Sequence, residues 1–429
     1  MTSFRSDFLH ILSTRGFLHQ GTDLEGLDVL LSRACVTGYV GFDATAASLH
    51  VGNLLQIMLL LHFQRTGHRP LVLMGGGTTK IGDPSGKDSS RQLLSEERIE
   101  ENISSVQKAF SRFLTFGNGS ADALMVNNAL WLDKLNYLEF LRDYGRHFSV
   151  NRMLSMDSVK MRLEREQPLS FLEFNYPVLQ AYDFVELSKT YGCRLQMGGS
   201  DQWGNIVNGV DLARRLELPP LFGVTAPLIT TASGVKMGKS ESGAVWINPE
   251  QLSPYQYWQF WRNTEDQDVA RFLALFTLMP LEDIKRMESL AGAELNEAKI
   301  LLADEATRLP HGEDVLLTIH QTTAQLFGGG TREGKEAFME TLESIVLSRV
   351  EIKEGVPILT LLVRAGLVES NGEARRLIRG KGVRWRDTLI TDEKSILTLD
   401  HFQENGDRLY AGVLSAGKKK HTMVRVEGG

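Results

Sequence analysis

Two short stretches, far apart in the chain, carry residues whose types and spacing could do chemistry. The first is His50-Val-Gly-Asn53, which follows a β-branched run at 36–40 and precedes an apolar segment at 54–63. This order predicts a strand, a polar loop and a helix with Ser48 as the N-cap. The unpaired N–H groups and the positive dipole end of a first helical turn can receive phosphate. Taken alone, however, a histidine near a helix start is more often a cap or a surface residue.

The second stretch is Lys236-Met-Gly-Lys-Ser240, on a loop directly after a strand-like run. Other polar residues also follow strand-like runs. Asp83 comes after a run that ends in three glycines, and Asp201 comes after the run that starts at Cys193. Open α/β sheets bind ligands at the carboxyl ends of their strands. We therefore expect these segments to meet at one edge of a sheet, although a solvated loop is the other interpretation of the segment around Asp83.

A predicted helix at 171–183 contributes a third set of polar residues. Tyr176, Gln180 and Asp183 are spaced i, i+4, i+7 and therefore share one helix face. A shared polar face is usually solvated. The neighbouring residues here are apolar, so we expect this face to line a cavity. Pro177 predicts a helix start or a kink near Tyr176.

The elements that must hold these residues alternate between strand-like and helical patterns. Over residues 1–248 this alternation predicts an α/β fold with a Rossmann-like, doubly wound parallel sheet and a helical insertion at about 131–190. The pattern at 249–330 is helical, and the glycine-rich start of 331–352 favours a linker. Residues 353–429 form a small α+β domain in this interpretation.

Residues 375–386 are unusually basic, because six of the twelve are Arg or Lys and none is acidic. Charge runs are usually solvated faces. Here Leu377, Ile378, Val383 and Trp385 interleave with the charges and would anchor them to a small core. A folded surface for RNA phosphates is therefore the better interpretation. The cations expected to contact RNA are Arg375, Arg376, Arg379, Lys381, Arg384, Arg386, Lys418, Lys419 and Lys420.

Composition excludes several other classes of protein. A chain of 429 residues predicts about three domains, and the net charge of −6 means that nucleic acid must be held by local basic patches. Only Cys35 and Cys193 occur, which suits a reducing cytoplasm and argues against a disulfide framework or a zinc site. We expect no membrane partner and no signal peptide, since no apolar run reaches the length of a membrane span and Asp7 interrupts the N-terminus.

Several longer phrases resemble bacterial-type tyrosyl-tRNA synthetases. They are Phe42-Asp-Ala-Thr-Ala-Ala-Ser-Leu-His50, Ile81-Gly-Asp-Pro-Ser85, Leu179-Gln-Ala-Tyr-Asp183 and Gly198-Gly-Ser-Asp-Gln-Trp-Gly-Asn205. The two opening stretches resemble the His-Ile-Gly-His and Lys-Met-Ser-Lys-Ser signatures of class I aminoacyl-tRNA synthetases. The resemblance runs almost end to end, and at about 356–425 it implies an S4-like RNA-binding module. It also implies a homodimer, with the helical insertion as the contact.

The resemblance implies roles for the residues that match these motifs. Tyr39 and Asp183 would meet the phenol of the substrate tyrosine. A phenylalanine bound in place of that substrate would leave both groups desolvated and unpaired. The residues implied to bind tyrosine are Tyr39, Asp83, Tyr176, Gln180, Asp183 and Gln202. Those implied to bind ATP are Gly41, Asp43, Thr45, His50, Gly52, Asn53, Asp201, Lys236, Met237 and Lys239. Those implied to act in catalysis are Thr45, His50, Asn53, Lys87, Arg91, Lys236, Lys239 and Ser240.

The chemistry implied by the resemblance is ATP-dependent activation of L-tyrosine, followed by its transfer to the 3′ end of tRNA(Tyr). Mg²⁺ would arrive with the ATP, and no metal bound by the protein itself is expected. This chemistry needs alignment of two anions and stabilisation of charge on the leaving oxygens, which flexible lysines suit.

Two residues depart from the class I signatures. Asn53 replaces a histidine and cannot become a cation, and Gly238 replaces a serine and is expected to loosen the lysine loop. We expect activity to survive both changes. Two rival functions remain open: an RNA-binding protein that has lost catalysis, and a tryptophan-specific relative. Exchange of pyrophosphate that depends on tyrosine would separate them.

Overall fold

The computed structural model describes residues 4–83, 94–234, 237–240, 243–328, 344–386, 388–405, 409–417 and 420–426. The chain divides into two compact units. The first comprises Met1–Gln251 and Phe260–His311, and the second comprises Leu252–Gln259 and Gly312–Gly429. The domain bounds expected from the sequence stay a prediction.

The first unit is built around a six-stranded sheet with the order β1-β6-β5-β2-β3-β4. Its strands are β1 (Gln20–Gly21), β2 (Thr37–Phe42), β3 (Arg69–Met74), β4 (Leu124–Asn127), β5 (Cys193–Gly199) and β6 (Phe222–Ala226). The strands from β2 to β6 pair in parallel, but β1 pairs antiparallel with β6. The expectation of a wholly parallel sheet is therefore wrong, and the sheet is mixed. A two-residue edge strand can run either way because no crossover helix constrains it.

Helices cover and connect these strands in the first unit. In chain order they are α1 (Asp7–Arg15), α2 (Leu24–Leu31), α3 (Val51–Arg65), α4 (Gly76–Thr79), α5 (Glu96–Phe110), α6 (Ala129–Leu132), α7 (Tyr137–Asp143), α8 (Val150–Leu154), α9 (Asp157–Glu164), α10 (Phe171–Tyr191) and α11 (Trp203–Arg215). A short hairpin of β7 (Lys239–Ser240) and β8 (Gly243–Ala244) follows. The segment between β4 and β5 is helical throughout its regular structure, as the sequence predicts for the insertion.

Helix α3 begins two residues later than the sequence predicts. His50 is its N-cap, with an extended backbone, so the prediction of Ser48 as the N-cap is wrong. The buried Ser48 hydroxyl donates to Leu49 O at 2.9 Å and accepts the N–H of Asn248 at 3.1 Å. Ser48 therefore ties the loop to a segment 200 residues away and has no role in capping the helix.

Helix α10 runs through Pro177, so a helix start near Tyr176, one of the two expected alternatives, is wrong, and the kink stays a prediction. Ser170 begins the helix through a capping box, since its hydroxyl accepts the N–H of Glu173 at 3.1 Å while the Glu173 carboxylate accepts the N–H of Ser170, also at 3.1 Å. Proline removes one hydrogen bond inside the helix. Packing of α10 against α11 and β5 holds the helix together in spite of that loss.

Further helices lie beyond β8. They are α12 (Pro254–Arg262), which has residues in both units, α13 (Val269–Phe276), α14 (Leu281–Met287), α15 (Gly292–His311) and, in the second unit, α16 (Glu313–Gly328). The helical pattern predicted for 249–330 is confirmed where the structure describes it. In the first unit Trp261 is fully buried and packs against Phe276 at a ring distance of 5.0 Å.

The second unit contains an antiparallel sheet with one parallel edge. Its elements are β9 (Ser344–Leu347), α17 (Arg349–Glu354), β10 (Val356–Pro357), α18 (Ile358–Arg364), α19 (Asn371–Arg379), β11 (Val383–Trp385), β12 (Thr388–Ile390), β13 (Ile396–Leu397), β14 (Gln403–Asn405), β15 (Leu409–Ala416) and β16 (Lys420–Val426). The sheet order is β12-β11-β15-β16-β9, and β9 pairs in parallel with β16. The described part of the predicted linker at 331–352 is thus regular structure, because β9 completes the edge of this sheet.

Candidate active site

A cavity of about 370 Å³ opens at the carboxyl edge of the first unit's sheet. Asp43 follows β2, Asp201 follows β5, and α10 supplies one wall. Twelve predicted site residues line this cavity, and they come from segments remote in the chain. They are Tyr39, Gly41, Asp43, Thr45, His50, Asn53, Asp83, Tyr176, Gln180, Asp183, Asp201 and Gln202. The expected shared polar face of α10 is therefore confirmed as a cavity wall.

Asp183 and Tyr39 are buried residues of the cavity lining. The Asp183 carboxylate is 2% exposed and accepts hydrogen bonds from Asn128 Nδ2 at 2.9 Å and from Trp131 Nε1 at 2.7 Å. Burial raises the pKa of Asp183 to about 7, against the opposing effect of these two donors. Burial and the Asp183 charge also raise the pKa of Tyr39.

The Tyr39 hydroxyl is buried and has no hydrogen-bond partner among the described residues. A buried hydroxyl without a partner costs free energy, and such groups in native structures usually have a reason. A ligand hydroxyl that reached both residues would give the Tyr39 hydroxyl its missing hydrogen bond. By donating to the Asp183 carboxylate it would also offset the free-energy cost of desolvating that group. The pair therefore suits a single polar group on an otherwise apolar ligand.

The partners of Asp183 were missed by sequence reasoning. Asn128 is 1% exposed, and its Oδ1 accepts the N–H of Gly77 at 2.8 Å while its amide also approaches Thr78 Oγ1 at 3.1 Å. It thus joins the glycine turn after β3 to the Asp183 carboxylate. The available signal was its place directly after β4, at the same sheet edge as Asp43. Trp131 carries no such signal, because it lies within the short helix α6 and the position of its indole depends on where that helix packs.

A chain of amides and one carboxylate also reaches the cavity lining. Gln202 Nε2 donates to Asp83 Oδ2 at 2.9 Å, Gln180 Nε2 donates to Gln202 Oε1 at 3.3 Å, and Asn205 Nδ2 donates to Gln180 Oε1 at 2.9 Å. Asp83, Gln180 and Gln202 all line the cavity, so the network places a carboxylate and amide groups at its wall. An anionic oxygen with neutral acceptors suits a partly desolvated cation.

Tyr176 connects the two predicted halves of the site. Its hydroxyl lies 3.3 Å from Asp43 Oδ1, which also accepts from Thr78 Oγ1 at 3.0 Å. Burial raises the pKa of Tyr176, and the charges of Asp43 and Asp83 add to the effect. The hydroxyl predicted to meet the amino acid is therefore held by the carboxylate predicted to meet the nucleotide, so the two subsites share a boundary.

The first turn of α3 offers fewer free N–H groups than the sequence predicts. Val51 N donates to Val245 O at 2.8 Å, and Asn53 N donates to His50 O at 2.8 Å. Asn53 Oδ1 in turn accepts the N–H of His50 at 3.2 Å. His50 and Asn53 line the cavity, whereas Gly52 is absent from its lining. The helix start is thus partly closed by the chain itself.

The lysine loop is only partly described. Lys236 lies outside the described residues, as do Lys87 and Arg91, while Lys239 and Ser240 are described by their backbone in β7. Met237 is buried and does not line the cavity. Gly238 has φ +105° and its carbonyl accepts the N–H of Val245 at 3.1 Å. The expectation that Gly238 loosens the loop stays a prediction, and the structure shows that this hydrogen-bonded turn uses a positive φ, which glycine adopts readily.

The basic run of the second unit sits on a folded support. Ile378, Val383 and Trp385 are buried in its core and Leu377 packs against them, as predicted. Five of the predicted RNA-contacting cations are exposed: Arg375, Arg376, Arg379, Lys381 and Arg384. Arg386 is half-buried. Lys418 and Lys419 lie outside the described residues, and Lys420 is described by its backbone in β16.

In the part of the chain that the structure describes, no group of three or more His, Cys, Asp or Glu residues could hold a metal ion. No helix in the same residues is long and apolar enough to cross a membrane.

Comparison with known proteins defines the class. The family described as "tRNA synthetases class I (W and Y)" matches residues 32–328. A C-terminally truncated mitochondrial tyrosyl-tRNA synthetase of Aspergillus nidulans superposes with a TM-score of 0.67 at 32% identity, covering 75% of this chain and 95% of that one. The chain belongs to the class I tRNA synthetases of the tryptophan and tyrosine group.

Relatives that match along the whole chain identify the group within that class. The chain is 57% identical to the tyrosine–tRNA ligase of Rhizobium meliloti (strain 1021), over 99% of this chain and 100% of the relative. It is 55% identical to the tyrosine–tRNA ligase of Rhodospirillum rubrum, over 99% of each chain. A tryptophanyl-tRNA synthetase of Plasmodium falciparum shares the fold, with 14% identity and a TM-score of 0.51 over 76% of this chain and 87% of that one. The predicted membership of the bacterial-type tyrosyl-tRNA synthetases is confirmed.

Proposed function

We propose that this chain charges tRNA(Tyr) with tyrosine in two steps, using ATP. The observation that carries the choice of amino acid is a pair of buried groups in the cavity lining. They are a carboxylate held by two donors and a tyrosine hydroxyl that has no hydrogen-bond partner among the described residues. A phenol satisfies both groups at once. The indole of tryptophan offers a donor at a different place and a larger ring.

In the first step an oxygen of the tyrosine carboxylate attacks the α-phosphorus of ATP. The bond from that phosphorus to the bridging α–β oxygen breaks, and pyrophosphate leaves with the negative charge. Asp83, Gln180 and Tyr176 would hold the ammonium so that the carboxylate points toward the nucleotide side. His50, Thr45 and the loop lysines would stabilise charge on the phosphates of Mg²⁺-ATP, the form in which the substrate arrives.

In the second step a ribose hydroxyl at the 3′ end of the tRNA attacks the carbonyl carbon of the mixed anhydride. The ester forms, AMP leaves, and the hydroxyl proton is released. No nucleophilic side chain is required in either step, so the contribution of the chain is alignment and electrostatic stabilisation. The two unpaired cysteines are consistent with a cytoplasmic location.

The decisive experiment is amino-acid-dependent exchange of pyrophosphate into ATP by the purified chain. Tyrosine is expected to support exchange, and tryptophan is expected to support none above background. Exchange with tryptophan but not tyrosine would reassign the pocket. No exchange with either, together with retained binding of tRNA, would favour an RNA-binding protein that has lost catalysis.

Tyrosine binding should weaken at low pH because Asp183 must be ionised to accept the phenol proton strongly. The pKa of Asp183 is raised to about 7, so the carboxylate is mostly neutral at pH 6 and mostly charged at pH 8. If only the ionised form binds well, the apparent Kd for tyrosine at pH 6 is about tenfold higher than at pH 8. Equilibrium dialysis across this range measures the effect. An Asp183→Asn variant, which cannot ionise, should bind weakly with a flat profile, and a flat wild-type profile would contradict the assignment.

We further propose that residues 353–429 form an S4-like module for RNA, after a helical domain at 249–330 that also contacts tRNA. The support is the row of exposed arginines on α19 and β11, backed by the small core of the second unit. Residue Arg379 also pairs with Glu393 at 3.1 Å, and both side chains lie at the surface. A surface ion pair of this kind contributes little free energy and can exchange its carboxylate for a phosphate.

Replacing Arg375, Arg376 and Arg379 together by alanine should impair charging while sparing activation. Each lost phosphate contact is expected to lower the salt dependence of tRNA binding by about one unit of log–log slope. The KM for tRNA rises, and tyrosine-dependent pyrophosphate exchange is unchanged. A control triple variant replaces Arg33, Arg65 and Arg98, which are exposed in the first unit and lie outside both proposed RNA-contacting domains. Equal loss of charging in both triple variants would contradict an RNA surface on α19.

We propose a homodimer through the helical insertion. Large apolar side chains that are exposed are concentrated there, and monomeric proteins rarely leave such groups together in water. The side chains are Leu130, Tyr137, Leu138, Leu141, Val150, Leu154, Met161, Leu163, Phe171 and Leu172. An identical surface on a second copy would cover them by two-fold symmetry.

Leu138→Glu is expected to produce monomers, because Leu138 is 74% exposed and a carboxylate there would be desolvated in the contact. Sedimentation equilibrium of the wild type should give twice the chain mass. The control is Leu228→Glu, at a residue 47% exposed in the same unit but outside the insertion. A monomeric wild type, or a dimer that survives Leu138→Glu, would refute this contact surface.

A further inference from the structure

Two glycines face each other where the lysine loop meets helix α3. Gly238 is buried, and a Cβ built on it would lie 2.9 Å from the backbone nitrogen of Gly52 and 3.1 Å from His50 Nδ1. A Cβ on Gly52 would lie 3.1 Å from the carbonyl oxygen of Met237. Separations below 3.0 Å from a Cβ to backbone are not tolerated, so a side chain at 238 must displace either the turn or the helix start.

Backbone hydrogen bonds also connect the turn at Gly238 to the start of α3, through the residues that follow β8. Val245 N donates to Gly238 O at 3.1 Å, and Val245 O accepts the N–H of Val51 at 2.8 Å. Two residues further along, Ile247 N donates to Leu49 O at 2.9 Å. The turn at Gly238 is therefore tied through Val245 to the first residue of α3, and a shift at 238 would be passed to the residue next to His50.

We propose that Gly238 is a positioning residue for adenylate formation. Its missing side chain lets the turn after Met237 rest directly on the first turn of α3. The backbone of Lys239 then begins at a fixed place relative to the His50 imidazole. A serine, which the wider class I signature carries at this position, would place its Cβ against Gly52. In this chain the glycine is thus a requirement of close packing.

This inference rests on the proposal that His50 and Lys239 hold the phosphates of ATP. If they do, moving the turn displaces these two side chains from the phosphates and leaves the tyrosine pocket unchanged. Misplacement by about 1 Å at an aligned site can cost on the order of 10²-fold in rate. The expected signature is therefore a fall in kcat for pyrophosphate exchange with an unchanged KM for tyrosine.

The chain supplies a matched control in the same loop. Gly234 also has a positive φ, +87° against +105° for Gly238, but a Cβ on Gly234 would meet no atom of the described residues within 4 Å. Alanine at either position carries backbone strain, and only alanine at 238 adds the close contact. Comparing Gly238→Ala and Gly238→Ser with Gly234→Ala therefore isolates the contact from the strain.

The experiment measures pyrophosphate exchange for the full chain and each variant. Gly238→Ala and Gly238→Ser should lower kcat by about 10- to 100-fold with the tyrosine KM within about twofold. Gly234→Ala should change both by no more than about twofold. In ¹³C-histidine NMR the His50 signal, identified by its loss in His50→Asn, should move in Gly238→Ala and stay in place in Gly234→Ala.

Results other than those expected would contradict either the role of Gly238 or the phosphate binding on which it rests. Equal kinetics of Gly238→Ala and Gly234→Ala would refute the positioning role. Loss of tyrosine binding or of folding in Gly238→Ala would also refute it, because the turn would then support the whole unit and not the phosphate site alone. A Lys239→Ala variant tests the underlying proposal. Wild-type exchange by Lys239→Ala would refute phosphate binding by the loop, whereas slow exchange by Lys239→Ala with Gly238→Ala unaffected would refute the role of Gly238 alone.

Discussion

Replacing Asp183 by alanine is expected to remove most of the preference for tyrosine over phenylalanine. A site built to bond a substrate hydroxyl rejects the analogue that lacks it by about 10⁴–10⁵-fold, a range for which tyrosyl-tRNA synthetases are themselves the reference case. Without the carboxylate that rejection is lost, and we expect the preference to fall to about 10²-fold or less. Pyrophosphate exchange with each amino acid measures the ratio of kcat/KM.

The structure also defines the side effect of this substitution and the control for it. Asn128 and Trp131 would each lose the acceptor at residue 183, although the Asn128 amide keeps Thr78 Oγ1 at 3.1 Å. A donor left without an acceptor costs about 1–3 kcal/mol of folding free energy when it is buried. Asp183→Asn removes the charge and one acceptor but retains an oxygen for the other donor, so it should fold better than Asp183→Ala and still discriminate poorly. A folded variant at 183 that prefers tyrosine as strongly as the wild type would refute the pocket assignment.

Replacing His50 by alanine is expected to slow adenylate formation by about 10²–10³-fold, the usual cost of removing one preorganised group that stabilises transition-state charge. His50 lines the cavity next to Asn53, so its loss should leave the Kd for tyrosine unchanged. Stopped-flow measurement of adenylate formation and equilibrium dialysis with tyrosine separate the two quantities.

His50 is also the N-cap of α3, which calls for a control that keeps the helix start. Asparagine is among the best N-cap residues, so His50→Asn retains capping and removes the imidazole. Both variants should therefore be slow, while His10→Ala, at an exposed histidine of α1, should match the wild type. Full activity of His50→Asn would show that His50 serves the fold and has no part in the chemistry.

Much of the active site could be predicted because parallel strands bring their carboxyl ends to one edge. Asp43, Asp83 and Asp201 each follow a strand-like run in the sequence, and all three line one cavity. The face shared by Tyr176, Gln180 and Asp183 follows from helical spacing alone, and it lines the same cavity. Both inferences use local periodicity, which a single sequence records directly.

The errors have a common origin in contacts between remote segments. Ser48 is a good N-cap residue by type, but the N–H of Asn248 takes its hydroxyl, so the helix starts at His50 instead. Asn128 and Trp131 became partners of Asp183 only when α6 was placed beside α10. No spacing rule within either segment encodes such pairs.

By itself the sequence determined the class of enzyme, the strand-and-helix order around the cavity and the residue types that surround it. Only the tertiary structure decided which groups are paired, which are desolvated and where backbones touch. The raised pKa of Asp183 and the close approach of Gly238 to Gly52 both belong to this second kind. The physical reason is that burial and hydrogen bonding depend on distances between segments, whereas propensity and periodicity depend on neighbours along the chain.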